Sequence, residues 1–325
     1  MDFDHILLIG YGAPESAEEV MPFLRSMSEG RGISEERFKA LAKHYEVIGG
    51  GSPYNRQVED FRNRLAKDLH TAGITVPVFS GMKNWHPFLK DVLPEIRRKG
   101  HRKGLAIPLT PYRSASAGAG YEKNLKSILS EQALTGLCYH FIEGWYDQAL
   151  FIEAEAEEAS RMLQTIDPEE RAGTPILFSF HSLPVHQDPA NPVSFYAEEA
   201  RAASTLVAKR LEHSKWSVVY QSRPVSAKTV WLSPELDQAI RNLADQGEKR
   251  VLVVPLGFLC DHAEVLYDLD HAARGLIEKA GMEYIRAKTV LHHPKITALL
   301  KTLIEKRGQA TFPPRGSGRI RPLAD

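Results

Sequence analysis

The sequence predicts an α/β protein built from parallel sheets, and three observations carry that expectation. Short apolar, β-branched-rich runs alternate with longer amphipathic stretches along the chain, the pattern of strands joined by crossover helices. The strand runs are apolar without polar alternation, as strands covered on both faces are. The 325 residues, 43% of them hydrophobic, leave room for sizeable cores; at roughly 150 residues per domain they suggest about two domains.

Taken in order, the expected strands are HILLIG, VPVFSG, GLAIPLT, PILFSFH, WSVVYQS and RVLVVPLGF, the last ending near Phe258. Helical patterns such as NRQVEDFRNRLAKDL and LDQAIRNLADQG lie between them, and AEAEEASRMLQTIDPEERAG reads as a long charged helix closed by a turn. A boundary near residues 140 to 150 divides the chain into two similar halves, each beginning its own strand series. No short-period repeat of the solenoid kind is present. The tail RGQATFPPRGSGRIRPLAD is rich in Arg, Gly and Pro without apolar periodicity, so a disordered, solvated segment is expected there.

Composition narrows the function classes. With 41 basic against 41 acidic residues, there is no electrostatic reason to expect nucleic acid or an anionic membrane as partner. Cys138 and Cys260 are the only cysteines, too few for a disulfide framework, a four-cysteine zinc site or a cysteine-ligated iron–sulfur cluster. The start MDFDHILLIG carries acids where a signal peptide has a basic region, and no apolar run reaches the ~18 residues of a membrane span. A cytoplasmic protein is expected.

Three stretches carry candidate chemistry. In LLIGYGAPES a strand runs into glycines, but a dinucleotide-binding turn requires a third glycine at the position of Glu15. Two readings of Tyr11 stand: a ring packed under the strand end, or a phenol presented where ligands of open α/β sheets bind. FSFHSLP places His181 at another strand's carboxyl end, where an imidazole titrating near neutrality suits proton transfer. In VLVVPLGFLCDHAEVLYDLD, Asp261, His262, Glu264, Asp268 and Asp270 follow a strand, and the spacing of Glu264 and Asp268 sets both on one helical face. Helix capping accounts for Asp261 as an N-cap, and less well for the rest. The glycines of HYEVIGGGSPYN form a turn that permits close approach to the backbone. GMKNWHPFL sets Trp85, His86 and Phe88 beside Pro87 as a packing corner or one wall of an apolar pocket, packing being the favoured reading, and His292 and His293, being adjacent, point apart and do not make a metal pair.

Together, YGAPES, HYEVIGGGSP, MKNWHPFL, FSFHSLP, VVYQSRP with WLSPEL, and PLGFLCDHAEVLYDLD resemble the ferrochelatase family, in that family's order and over nearly the whole chain. The resemblance implies two Rossmann-like domains, each a four-stranded parallel sheet flanked by helices, with a porphyrin cleft between them. It divides the chain into residues 1–142, with a helix over 294–307 packing back on them, residues 143–293, and a tail over 308–325. It also implies insertion of ferrous iron into a tetrapyrrole with loss of two pyrrole protons, iron being a substrate and no resident cofactor being required. His181 and Glu264 are the implied catalytic and metal-handling pair, with Asp268 beside them. A free-base macrocycle aims its nitrogen lone pairs into its own ring, so holding it distorted exposes them, and binding contacts elsewhere on the ring offset the strain.

Tyr11 is similar to the tyrosine of the coproporphyrin-type members, where the protoporphyrin type has an apolar residue, and GWYDQALFIEA fits the same type. The implied product is therefore coproheme from coproporphyrin III, with Tyr11 an axial ligand to its iron. The alternatives are a protoporphyrin IX ferrochelatase, a chelatase of the cobalt or sirohydrochlorin branch, and a porphyrin- or heme-binding protein without turnover. Residue matching also implies Tyr45, Ser52 and Tyr121 as macrocycle contacts, Arg31 as a propionate partner, and transient encounters with other heme-pathway enzymes. The chain departs from the family pattern at His44, Asn84 and Ala272, which argues against an outer metal site built from those positions.

Overall fold

In the computed structural model, which describes residues 1–27, 34–113, 118–185, 192–223, 229–309 and 320–322, the apolar runs become the strands of two sheets. Along the chain come β1 (His5–Gly10), α1 (Ala17–Met27), α2 (Glu35–Val47), α3 (Tyr54–Thr71), β2 (Val78–Met82), α4 (Leu89–Arg98), β3 (Lys103–Pro108), α5 (Gly118–Glu131) and β4 (Cys138–Ile142). They are followed by α6 (Ala149–Leu163), α7 (Pro168–Arg171), β5 (Ile176–His181), α8 (Pro192–Arg210), β6 (Trp216–Gln221), α9 (Leu236–Asp245) and β7 (Arg250–Val254). Last come α10 (Ala263–Leu266), a π-helical segment Asp268–Ala273, α11 (Arg274–Lys279), β8 (Glu283–Arg286), α12 (Pro294–Gln309) and β9 (Ile320–Pro322). One compact unit comprises Met1–Ala42, Gly51–Trp145 and Leu291–Asp325, and the other Lys43–Gly50 and Tyr146–Val290.

In the first unit the parallel strands run β2-β1-β3-β4. Every residue of β1 is buried, because helices cover both faces. Leu7, Ile9, Ala106 and Phe141 pack with Leu93 and Ile96 of α4 and Leu125 of α5. α12 lies along α3, where Val58, Phe61 and Leu65 on one helix and Ile296, Leu300 and Ile304 on the other are fully buried. Burial of one such side chain is worth about 1.5–3 kcal/mol relative to leaving it exposed. The second unit repeats the topology, with parallel order β6-β5-β7-β8. Its core joins Val219, Val251 and Val253 to Ile240 of α9, Leu269 and Ile277.

Three expectations are corrected. RVLVVPLGF stops at Val254, because Pro255 has no N–H for the ladder and the chain turns, Leu256 N–H donating to the Val254 carbonyl at 2.8 Å. In the tail expected to be disordered, Ile320–Pro322 adds to the open edge of β4 as a short antiparallel strand, giving that sheet a fifth member; an edge strand offers unpaired N–H and C=O groups to any segment that reaches it. β4 and β8 are absent from the strands read by pattern. CYHFI carries a histidine, and EYIR is a four-residue edge strand that is half exposed, so neither makes a clear apolar run.

The two glycines around Tyr11 have steric causes. A Cβ on Gly10 would lie 2.6 Å from Met82 Sδ, and Gly12 sits at φ +83° with a Cβ position 2.7 Å from Met82 Cβ and 2.8 Å from the Trp85 nitrogen. They let the chain leave β1 tightly against β2 while Tyr11 turns outward. Gly12→Ala should therefore destabilise the protein by more than the ~1–2 kcal/mol of the left-handed backbone alone, measurable as a lower urea midpoint. At GGG, Gly49 and Gly50 take φ +100° and +91°, and a Cβ on Gly51 would lie 2.3 Å from the Glu15 carbonyl oxygen, so the close approach there is to backbone.

Candidate active site

In each sheet the chain first steps from its opening strand to one neighbour and then returns to the opposite side. The points of reversal lie between β1 and β3 and between β5 and β7. Such switch points leave a crevice beyond the strands' carboxyl ends where α/β proteins bind ligands. Tyr11 directly follows β1, and His181 is the last residue of β5.

His181 is oriented from both nitrogens. Its Nδ1 lies 2.5 Å from the Ser182 carbonyl oxygen, which can only accept, so Nδ1 carries a hydrogen. Nε2 is turned to Glu264, 3.5 Å from Oε1, and the two side chains remain 35% and 39% exposed. Burial alone lowers the imidazole's proton affinity, but the Glu264 anion, with the Ser182 carbonyl and Asp268 behind it, reverses that and raises the pKa of His181 to about 9. Burial likewise raises Glu264, and the facing imidazolium overrides it, drawing the carboxyl down to about 2. At neutral pH the pair is thus an imidazolium and a carboxylate sharing one proton. Asp268 differs: burial pushes its pKa to about 7, the Ser222 hydroxyl pulling down and the Glu264 charge pushing up.

A polar network that the sequence reading did not assign holds these groups. The Ser179 hydroxyl donates to Gln221 Oε1, and Gln221 Nε2 donates to the Glu264 backbone carbonyl at 2.5 Å. Ser222, at φ +63°, donates its hydroxyl to Asp268 Oδ2; a left-handed conformation in a non-glycine residue is tolerated where it aims a functional group. Position was the available signal, since Gln221 ends β6 as His181 ends β5. Gln221→Leu would leave the buried Ser179 hydroxyl and the Glu264 carbonyl without this partner. The expected cost is about 1–3 kcal/mol, read by denaturant unfolding, with a slower reaction as Glu264 loosens.

Two details of the acidic stretch are corrected. The N-cap of α10 is His262, whose Nδ1 accepts from Val265 N–H at 3.3 Å. Asp261 instead accepts from Arg286 Nη1 at 3.3 Å and from the Thr289 hydroxyl at 3.1 Å. The single α-helical face expected for Glu264 and Asp268 is broken after Leu266, where Ala272 N–H donates to the Tyr267 carbonyl in a five-residue step of 2.8 Å. Such π-bulges recur at functional sites.

The remaining candidates are distributed as follows. Tyr11 is 39% exposed, its N–H donating to Tyr54 Oη at 2.9 Å and its phenol to Met27 Sδ at 3.0 Å, so the ring is not packed under the strand end. Tyr45, Ser52 and Tyr121 are buried. The Ser52 hydroxyl accepts from Tyr54 N–H at 3.3 Å at the start of α3, and Tyr121 packs in the core against the first sheet. Arg31 lies outside the described residues. Trp85 is buried against Phe23 with its indole N–H donating to Glu19 at 2.9 Å, a packing corner as read. His44 stacks on Tyr267, ring centroids 3.7 Å apart and planes 8° apart. Asn84 N–H donates to the Tyr11 carbonyl at 2.9 Å.

The fold is that of the α/β chelatases: SirB from Bacillus subtilis, solved with Fe3+, superposes with a TM-score of 0.57 at 13% identity, over 94% of this chain and 97% of that one. A SirB structure in complex with cobalt gives 0.53 at 11% identity, over 94% and 97%. The family is narrower than the fold. The Ferrochelatase family model matches residues 4–308, and the chain belongs to that family. Among its relatives, the coproporphyrin III ferrochelatase of Streptomyces griseus is 33% identical over 94% of this chain and 85% of its own length. That of Mycolicibacterium smegmatis is 30% identical over 98% and 94%.

Proposed function

We propose that this protein inserts ferrous iron into coproporphyrin III, giving coproheme and two protons, as a step of heme biosynthesis. The observation that carries the chemistry is the His181–Glu264 pair, with Nδ1 fixed by a carbonyl and Nε2 left to a carboxylate at a solvent-accessible strand end. Similarity to coproporphyrin III ferrochelatases over most of the chain supports the substrate.

The residues account for the proton balance. Each inserted dication displaces two pyrrole protons, so the site needs a base that is neutral when it acts. At rest His181 is protonated; a dication approaching Glu264 disfavours that charge and drives the proton off to solvent, freeing Nε2 to take the first pyrrole proton and, once that has been passed on, the second. Glu264 supplies an oxygen ligand to the incoming iron as it loses water. Oxygen ligation by one or two carboxylates suits a metal that must be released again. Asp268, poised near neutrality, passes protons onward. No resident cofactor enters these steps.

Tyr11 bears the choice of macrocycle, as a phenol that can ligate the product's iron. Supplying ferrous iron with coproporphyrin III and with protoporphyrin IX in parallel assays tests the reading: the tetrapropionate should be metallated faster, and faster turnover of protoporphyrin would overturn it. Tyr11→Phe should keep the chelatase reaction but weaken coproheme binding and remove the phenolate charge-transfer absorption of the ferric product complex. An unchanged spectrum would remove Tyr11 from the ligand set. A cytoplasmic location and transient transfer of coproheme to a following enzyme accompany the proposal; among the described residues no helix is long and apolar enough to cross a membrane.

A further inference from the structure

We propose that Asp4, His5 and His101 form a second divalent-metal site, at the amino-terminal end of the first sheet, which takes a borderline transition-metal ion such as Zn2+ or Co2+. Among the described residues this is the one group of three side chains whose ligand atoms all lie within 4.8 Å of one another. It lies at the end of β1 opposite Tyr11, in a different unit from His181 and Glu264.

The carboxylate of the set is held by backbone. Asp4 Oδ2 accepts from the Arg102 and Lys103 N–H groups at 2.8 and 3.2 Å, fixing the carboxylate across the start of β3. Its Oδ1 then faces His5 Nδ1 at 2.6 Å and His101 Nδ1 at 3.6 Å. The second spacing is already near the separation of two ligands on one tetrahedral ion, about 3.3 Å for bonds of about 2.0–2.1 Å; the first must open by several tenths of an ångström. The His101 and Asp4 side chains are 21% and 41% exposed, leaving an entry path and room for a water ligand. Two imidazoles and one carboxylate make a donor set that favours zinc, cobalt, nickel or ferrous ions over magnesium and calcium.

An independent feature supports the site. His5 Nε2 is 2.9 Å from Tyr139 Oη, and that meeting requires Gly104, where a Cβ would lie 2.2 Å from Tyr139 Cε1 and 2.5 Å from His5 Nε2. The phenol serves both states of the ring. Without a cation, His5 Nδ1–H donates to Asp4 and Nε2 accepts the phenol hydrogen. With a cation on Nδ1, the hydrogen moves to Nε2 and donates to the phenol oxygen, so the far nitrogen keeps its partner and no net proton is released, while the phenol hydrogen gives up its acceptor. A hydrogen-bonding partner on the far nitrogen is the usual outer support of a metal-bound histidine.

The test uses the full chain carrying His181→Ala and Glu264→Gln, which removes the iron-handling pair. Titration with Co2+ should show one equivalent bound with the visible bands of four-coordinate cobalt, bleached by Zn2+, and saturating Zn2+ should raise the Tm by roughly 5 °C or more. Adding His101→Ala, at a partly exposed position between α4 and β3, should weaken Co2+ at least tenfold, with the far-ultraviolet circular dichroism unchanged. Asp4→Asn should do the same, and Tyr139→Phe should weaken binding about tenfold while keeping all three ligands. No cobalt binding, or binding that neither His101→Ala nor Asp4→Asn weakens, overturns the proposal.

Discussion

His181→Ala is expected to slow iron insertion by about 10²- to 10⁴-fold, the range in which a positioned acid–base group contributes, while porphyrin binding by fluorescence quenching changes little. The structure gives a reason for so specific a loss. His181 Nδ1 is occupied by the Ser182 carbonyl, so Nε2 is the atom through which the ring can accept a proton. Its nearest acidic partner, Glu264, is drawn down to about 2 while the imidazolium faces it, and in the parent protein is a poor base. The alanine variant also exposes Glu264 and Asp268 to each other without an intervening cation, so the pKa of Glu264 should rise. Added imidazole should restore part of the rate if the missing element is a proton acceptor. A variant that metallates porphyrin as fast as the parent would remove His181 from the reaction.

How much of this could be read before folding depends on where each group gets its role. β1, β5 and β6 were legible because both faces of a parallel strand are buried and the requirement is written in consecutive residues. β8 was not, because it is four residues long and none of them is fully buried, so no apolar run marks it and only its pairing with β7, Val251 opposite Tyr284 and Leu252 opposite Ile285, makes it a strand. His181 and Glu264 stood out through residue type at a strand end and through the family motif. Gln221 and Ser222 did not, since an amide and a hydroxyl are ordinary residues until β6 lies beside β5 and brings them against Glu264 and Asp268. The π-helical step after Leu266 is likewise invisible in the local spacing, which fits an α-helix equally well. Tyr11 was legible as unusual, but its outward direction follows from Met82 and Trp85 crowding the glycines on either side.

Glu264→Gln should lower the rate by a similar order, and it separates the carboxylate's two roles through pH. In the parent protein the Glu264 anion lifts His181 to about 9 against the opposing effect of burial. The neutral base becomes more abundant as pH rises through that value, so kcat/KM should climb on an alkaline-shifted limb. With glutamine the anion is gone and burial still lowers the imidazole, so the limb moves towards more acid pH and more of His181 is neutral at pH 7. If supplying a neutral base were the whole task, the variant would be faster at neutrality; a lower rate with a raised KM for ferrous iron assigns the carboxylate to the metal. The stability difference has its own sign. The pair stabilises the fold where histidine is protonated and glutamate ionised, between the unfolded values near 4.5 and 6.5. That contribution is lost as pH rises from 6.5 through about 9, and again as pH falls from 4.5 through about 2. Because both groups are more than a third exposed, solvent screens the pair and the stability difference stays small beside the kinetic one. A pH limb that does not move in Glu264→Gln would mean that a group other than His181 controls the reaction.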